Sequence, residues 1–132
     1  RRGCLICFDS IYETLALDSV RDGAELIMLS TNDSWFHDSA ALEMHNSQAR
    51  LRAIETRRSV VRAANTGITS IITPTGEVTA RIGALKKGLI VEDVELNNGL
   101  TLYTRIGNLF VYLCGAFVAV LLAECIKSRY RP

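Results

Sequence analysis

Gly3-Cys4-Leu5-Ile6-Cys7-Phe8-Asp9-Ser10-Ile11-Tyr12-Glu13 decides how the chain is read, because a short apolar strand here runs into a turn and a helix, with Cys7 at the strand's end. Ser10 and Glu13 have the spacing of a capping box, in which the hydroxyl and the carboxylate satisfy the free N–H groups of a helix that starts there. The strand then turns sharply just after Cys7. A thiol at such a turn lies near a helix N-terminus, whose partial positive charge favours the nucleophilic thiolate. The competing reading is a buried structural cysteine, since free Cys is commonly buried.

Outward from this stretch, strands alternate with helices. Glu13 to Arg21 continues the first helix, Glu25 to Ser30 reads as a buried strand, and Thr31 to Asp38 is a polar loop bearing the only Trp. Ser39 is placed to cap a long helix to about Arg58, with Ala41, Met44, Gln48, Leu51 and Ile54 at roughly helical spacing. Val60 to Ala64 is the next strand. Asn65-Thr66-Gly67 is a turn, with Gly67 supplying positive φ, and Ile68 to Thr73 and Glu77 to Ile82 form a hairpin around Pro74-Thr75-Gly76. Gly88 to Val94 reads as a last strand. The pattern is α/β, one sheet packed under helices.

Composition adds limits. The 132 residues suit one modest domain, and the chain reads as the C-terminal piece of something longer. With 15 basic and 14 acidic residues, nothing points to a nucleic-acid partner. Cys4, Cys7, Cys114 and Cys125 form no disulfide framework, and Cys4 and Cys7, three apart on one strand, face opposite sides. His37 and His45 lack the spacing of a metal site, so no metal or other cofactor is expected. Arg50, Arg52, Arg57, Arg58 and Arg62 are placed to grip a lipid phosphate, but Glu55 lies three residues from both Arg52 and Arg58, so helix-surface ion pairing explains much of the run.

From Ile106 to Ala123 no residue carries a formal charge. A helix of that length approaches the ~30 Å hydrocarbon core of a bilayer. The alternative is a buried core helix. Lys127, Arg129 and Arg131 follow the run while only Arg105 immediately precedes it, so the positive-inside rule sets the C-terminus in the cytoplasm and the Cys7 domain outside. Glu124 reads as a residue at the cytoplasmic boundary. The expected organisation is residues 1–105 as a catalytic part, 106–126 as a transmembrane helix and 127–132 as a short basic cytoplasmic tail.

Four segments carry a resemblance: ICFDS at Cys7, the loop TNDSWF, the helix and strand RLRAIETRRSVVRAANTG, and the hairpin ITPTGEV. In order and spacing, over roughly Gly3 to Asn108, they resemble the C-terminal half of the nitrilase (carbon-nitrogen hydrolase) superfamily, and more narrowly the apolipoprotein N-acyltransferases of bacterial envelopes. The apolar tail separates the latter from soluble nitrilases and amidases. The resemblance implies a partial α-β-β-α sandwich followed by one C-terminal transmembrane helix. It implies Cys7 as nucleophile, with a glutamate base and an oxyanion-binding lysine that precede this motif and lie outside the chain, so residues 1–132 alone are expected to be inactive. Phe8 and Asp9 stand where the family usually has Tyr and Glu. The Phe8 N–H is then a candidate oxyanion donor and Asp9 a supporting carboxylate.

The implied reaction moves a fatty acyl chain from a phospholipid donor, through a Cys7 thioester, to the N-terminal amine of a diacylglyceryl apolipoprotein at the bilayer. The implied location is the bacterial inner membrane, with the catalytic domain on the periplasmic side. Asn32, Asp33, Trp35 and Phe36 are candidates for lining the acyl or headgroup pocket, with a structural role as the competing reading. The alternative activity is a soluble or membrane-tethered C–N hydrolase using the same cysteine with water as acceptor, and a third reading is a catalytically dead binding module.

Overall fold

The computed structural model describes residues 1–129. Five strands form one sheet in the order β1-β2-β3-β4-β5: β1 (Arg2–Ile6), β2 (Leu26–Asn32), β3 (Ser59–Asn65), β4 (Thr69–Ile72) and β5 (Val78–Ile82). The first three are parallel, because each is joined to the next through a helix, α1 (Glu13–Arg21) and then α2 (Ala41–Thr56). The last three are antiparallel. They are joined by a tight turn and by the expected hairpin, where Gly76 sits at φ +85° and donates to the Thr73 carbonyl at 2.9 Å.

Crossovers of one hand put both helices on the same face of the sheet. Between them and the strands lies the core: Leu5, Ile27, Leu29, Val60 and Ile72 from the sheet, Ala16 and Val20 from α1, Ala49 and Ala53 from α2. Each large aliphatic side chain buried here contributes about 1.5–3 kcal/mol. The opposite face of β1 and β2 is open, with Cys4, Ile6 and Met28 exposed. The described residues thus form one sheet and one helical layer of an α/β fold.

Several local expectations are corrected. Ser10 is fully buried and caps nothing, and α1 begins at Glu13 with Tyr12 before it. The long helix is capped by no side chain either; the Ser39 hydroxyl instead donates to the Phe36 carbonyl at 2.6 Å. Its apolar stripe faces outward, with Met44 67% exposed and Leu51 and Ile54 also exposed. The face that packs on the sheet is Leu42, His45, Asn46, Ala49, Arg52, Ala53 and Thr56, because small alanines allow close approach and the polar groups find partners inside. Arg58 and Arg62 leave the helix surface altogether. Arg58 is buried and donates to the carbonyls of Ala24 (2.7 Å) and Gly99 (2.8 Å), not to Glu55; Arg52 does pair with Glu55 at 3.0 Å.

Gly88 to Val94 is not a strand. It is tied to β5 through Thr79 to Glu92 (2.8 Å), with Ser59 of β3 donating to the Glu95 carbonyl (2.8 Å) just beyond it, and pairs with no sheet edge. In the turn after β3 the positive φ (+63°) falls on Thr66, not on Gly67.

The tail forms α3 (Leu102–Ile106) and α4 (Leu109–Arg129), separated at Gly107 (φ +56°). Ile106 therefore belongs to α3, and the stretch apolar and long enough to cross a membrane is Leu109–Lys127, with a mean hydropathy of 2.4 and no part of it buried. Nineteen residues rise about 28 Å. Lys127 and Arg129 lie in its last turn, while Arg131 and the rest of the tail at 130–132 fall outside the described residues.

Candidate active site

Cys7 does not end the strand; it opens a five-residue 3-10 turn, Cys7–Ile11, and is itself the bend. Its φ is +52°, the left-handed region, which a non-glycine residue occupies at a cost of about 1–3 kcal/mol and which clusters at functional sites. The side chain is partly exposed. The α-helix expected beside the thiol starts only at Glu13, beyond the single turn over which a helix end acts. Because Cys7 lies outside β1, alternation along the strand does not relate it to Cys4, which is exposed on the open sheet face.

The bend is held at several points. The Ile6 N–H donates to the Asp9 carboxylate at 2.9 Å, so Asp9 closes the turn. At the far end Arg52 donates to the Ile11 carbonyl at 3.2 Å. In the middle the Ser10 hydroxyl donates to the Cys7 carbonyl at 3.2 Å and also lies 3.2 Å from His45 Nε2, which is 3.3 Å from the same carbonyl. His45 stacks on Phe8 with centroids 5.3 Å apart and meets the edge of Phe36 at 5.8 Å.

Behind His45 lies a fully buried charge cluster. Asp33 Oδ1 is 2.9 Å from His45 Nδ1 and accepts the Thr31 hydroxyl at 2.7 Å, while Oδ2 accepts Arg62 Nη2 at 2.6 Å. Burial lowers the Arg62 pKa from its ordinary value, and the adjacent Asp33 carboxylate opposes that shift. Gly67 is demanded by this cluster: a Cβ there would stand 2.0 Å from Asp33 Oδ2.

The loop candidates separate accordingly. The Asp33 carboxylate is buried and engaged by three buried partners. Asn32 Oδ1 accepts the Ser34 N–H (3.2 Å) and Asn65 Nδ2 (3.3 Å), shaping the loop. Trp35 projects outward, 81% exposed. Phe36 joins Phe8, Ile11, Ala41 and Met44 around an apolar recess of about 180 Å³ beside the bend. Ser10, His45 and Arg62 escaped the sequence reading as neighbours of Cys7, because buried polar residues look like surface residues in a sequence. A partial signal exists only for Arg62, whose strand β3 runs in register with β2 so that Asn65 lies beside Asn32, the residue before Asp33.

The root of α4 is fastened to the same region. Asn108, directly before α4, donates to Glu13 at 3.0 Å and accepts the Tyr103 hydroxyl at 2.9 Å. Glu13's pKa is lowered, first by its backbone hydrogen bond and then by Asn108. Among the described residues no group of three or more His, Cys, Asp or Glu is placed to hold a metal.

Residues 1–99 match the family described as Carbon-nitrogen hydrolase. The chain is 40% identical over 129 residues to an apolipoprotein N-acyltransferase of Geobacter metallireducens, covering 98% of this chain and 25% of that protein. It is 39% identical over 109 residues to the one from Thermotoga maritima, covering 82% and 22%. The chain thus spans about a quarter of the length of these relatives. Among solved structures, the Caenorhabditis elegans NitFhit protein superposes with a TM-score of 0.56 at 29% identity, covering 64% of this chain and 22% of that one. A carbon-nitrogen hydrolase from Helicobacter pylori gives 0.59 at 14%, covering 66% and 38%, a likeness of fold.

Proposed function

The chain belongs to the carbon-nitrogen hydrolase family, and from that premise we propose that it is the nucleophile-bearing and membrane-anchoring part of an apolipoprotein N-acyltransferase. The observation that carries this reading is the fastening of the apolar helix close to the bend: Asn108 before α4 is bonded to Glu13, the first residue of α1 and six residues beyond Cys7. An elbow tied to the foot of a bilayer-length helix faces substrates that are themselves lipid-anchored, which concentrates both reactants at one surface. A cysteine hydrolase acting on soluble amides has no use for that arrangement.

In this reaction the Cys7 thiol gives its proton to a base and attacks the ester carbonyl of a phospholipid acyl chain. The tetrahedral intermediate collapses to a thioester as the lysophospholipid alkoxide leaves and takes a proton back. The α-amine of the diacylglyceryl-cysteine then attacks the thioester, loses a proton to the same base and departs as an amide, releasing the thiolate. The base is the glutamate, and the oxyanion-binding cation the lysine, that the family resemblance sets ahead of the Cys7 motif, so residues 1–132 alone do not turn over. The Phe8 N–H donates to the oxyanion and Asp9 supports the turn. The open face of β1 and β2 packs against the second sheet of the sandwich in the full-length protein. Leu109–Lys127 crosses the inner membrane with its basic end in the cytoplasm, leaving Cys7 on the periplasmic side.

Mass spectrometry of the full-length protein, incubated with phospholipid and no acceptor, tests this. A hydroxylamine-labile acyl adduct is expected on the peptide containing Cys7, lost in Cys7→Ala and retained in Cys4→Ala. An adduct on Cys4, Cys114 or Cys125 overturns the assignment. An adduct on Cys7 that decays equally fast with and without a lipoprotein amine makes the protein a hydrolase.

A further inference from the structure

We infer that Ser10 and His45, backed by Asp33 and Arg62, are positioning residues that aim the Phe8 N–H at the oxyanion by holding the Cys7 carbonyl in place. The inference rests on Cys7 as the nucleophile. Its geometric core is the planar trans peptide: the carbonyl of Cys7 and the N–H of Phe8 belong to one rigid plane and point in opposite directions. Whatever holds the carbonyl therefore sets the direction of the N–H. The carbonyl is drawn toward α2, 3.2 Å from the Ser10 hydroxyl and 3.3 Å from His45 Nε2, which turns the N–H away from α2. As one of the first N–H groups of a helical turn, that N–H has no acceptor within the turn and is available to a ligand.

Cys7, at φ +52°, makes this a strained bend, and the Cys7–Phe8 plane that leaves it needs groups to hold it. The holding groups are correspondingly rigid. Ser10 is fully buried, and its hydroxyl rotamer is fixed between the Cys7 carbonyl and His45 Nε2, 3.2 Å from each. The His45 ring is oriented by Asp33 on Nδ1 at 2.9 Å and stacked on Phe8. Asp33 is in turn fixed by Thr31 at 2.7 Å and Arg62 at 2.6 Å. Four elements of the fold, β2, β3, α2 and the bend, thus converge on one peptide plane. The links from Ser10 back to Asp33 and Arg62 lie among buried groups and those to the Cys7 carbonyl are part-buried, so misalignment leaves a polar atom unpaired away from water.

Two rates measured on the same thiol in the full-length protein separate aiming from general support. Acylation by phospholipid needs the oxyanion donor; alkylation by iodoacetamide displaces iodide directly and forms no oxyanion. Ser10→Ala and His45→Phe, the latter keeping the stack on Phe8, are expected to slow acylation about 10- to 100-fold, short of the ~10²–10³-fold cost of losing a donor outright. Alkylation of Cys7 is expected to stay within about twofold of the parent, and His45→Gln, whose terminal amide reaches the position of Nε2, to recover most of the acylation rate. Ser10→Ala acylating at the parental rate overturns the inference, as does a parallel fall of both rates, which marks general loosening of the bend. Should His45→Phe fail to fold, Ser10→Ala decides by the same two rates. If the parent protein is alkylated but never acylated at Cys7, the nucleophile assignment itself falls, and the aiming role with it.

Discussion

Asp33→Asn isolates the buried charge cluster without making a cavity, because the amide has the shape of the carboxylate it replaces. In the wild-type chain both carboxylate oxygens are engaged: one accepts the Thr31 hydroxyl and lies 2.9 Å from His45 Nδ1, and the other accepts Arg62 Nη2. Turned with its NH2 toward Arg62, an asparagine amide faces a donor-only group; turned the other way, it offers Arg62 only a neutral carbonyl oxygen. The Arg62 side chain, fully buried and deprived of the one carboxylate it pairs with among the described residues, becomes an uncompensated buried cation. Breaking such a pair from one side costs about 3–5 kcal/mol, a large part of the 5–15 kcal/mol that holds a typical domain folded. For a folding unit of 150–250 residues this corresponds to a fall in melting temperature of roughly 6–20 °C. Thermal unfolding of the full-length protein in detergent, followed by Trp fluorescence, reads it. Asp33→Asn combined with Arg62→Met removes the orphaned cation and is expected to be more stable than Asp33→Asn alone. A loss below about 1 kcal/mol for Asp33→Asn, or strict additivity in the double variant, refutes the coupling.

Gly67→Ala drives a Cβ to within 2.0 Å of Asp33 Oδ2 and is expected to cost about 1–3 kcal/mol or more, whereas Gly115→Ala, with no atom within 4 Å of the new Cβ, is tolerated; equal melting temperatures for the two would contradict the packing described. Burial raises the pKa of Glu55 despite the neighbouring Arg52, so the folded state binds its proton more tightly than the unfolded chain does. Stability contributed by this group is present below the ordinary carboxylate range and lost as pH rises through the raised folded value, and Glu55→Gln should flatten that segment of the stability–pH curve. Protease added outside intact spheroplasts is expected to spare a tag placed after Pro132, and replacing Lys127, Arg129 and Arg131 should weaken that orientation; cleavage of the tag in the wild type reverses the topology.

Most element identities were legible from local pattern. β2 announces itself as the run Leu26 to Leu29, the β4–β5 hairpin by Pro74-Thr75-Gly76, and α4 by an uncharged run that no soluble surface tolerates. The misplacements occur where local signals compete with long-range partners. Ser10 and Ser39 have the chemistry of N-caps, but each hydroxyl found a better-placed acceptor across the turn. Gly88 to Val94 has strand-like residues, but its backbone meets no sheet edge.

The α2 helix marks the limit most clearly. Its apolar stripe through Met44, Leu51 and Ile54 is what periodicity detects, yet tertiary packing buries the other side, because Ala49 and Ala53 let the helix approach the sheet and His45, Asn46 and Arg52 find partners there. Sequence by itself determined the α/β order, the apolar tail and the place of Cys7 at a strand-to-turn junction, since these depend on residues adjacent in the chain. Only tertiary structure decided that Cys7 is the bend itself and that Ser10, Asp33, His45 and Arg62 stand behind it. A buried polar residue is paid for by a partner remote in sequence, and no local pattern records which partner that is.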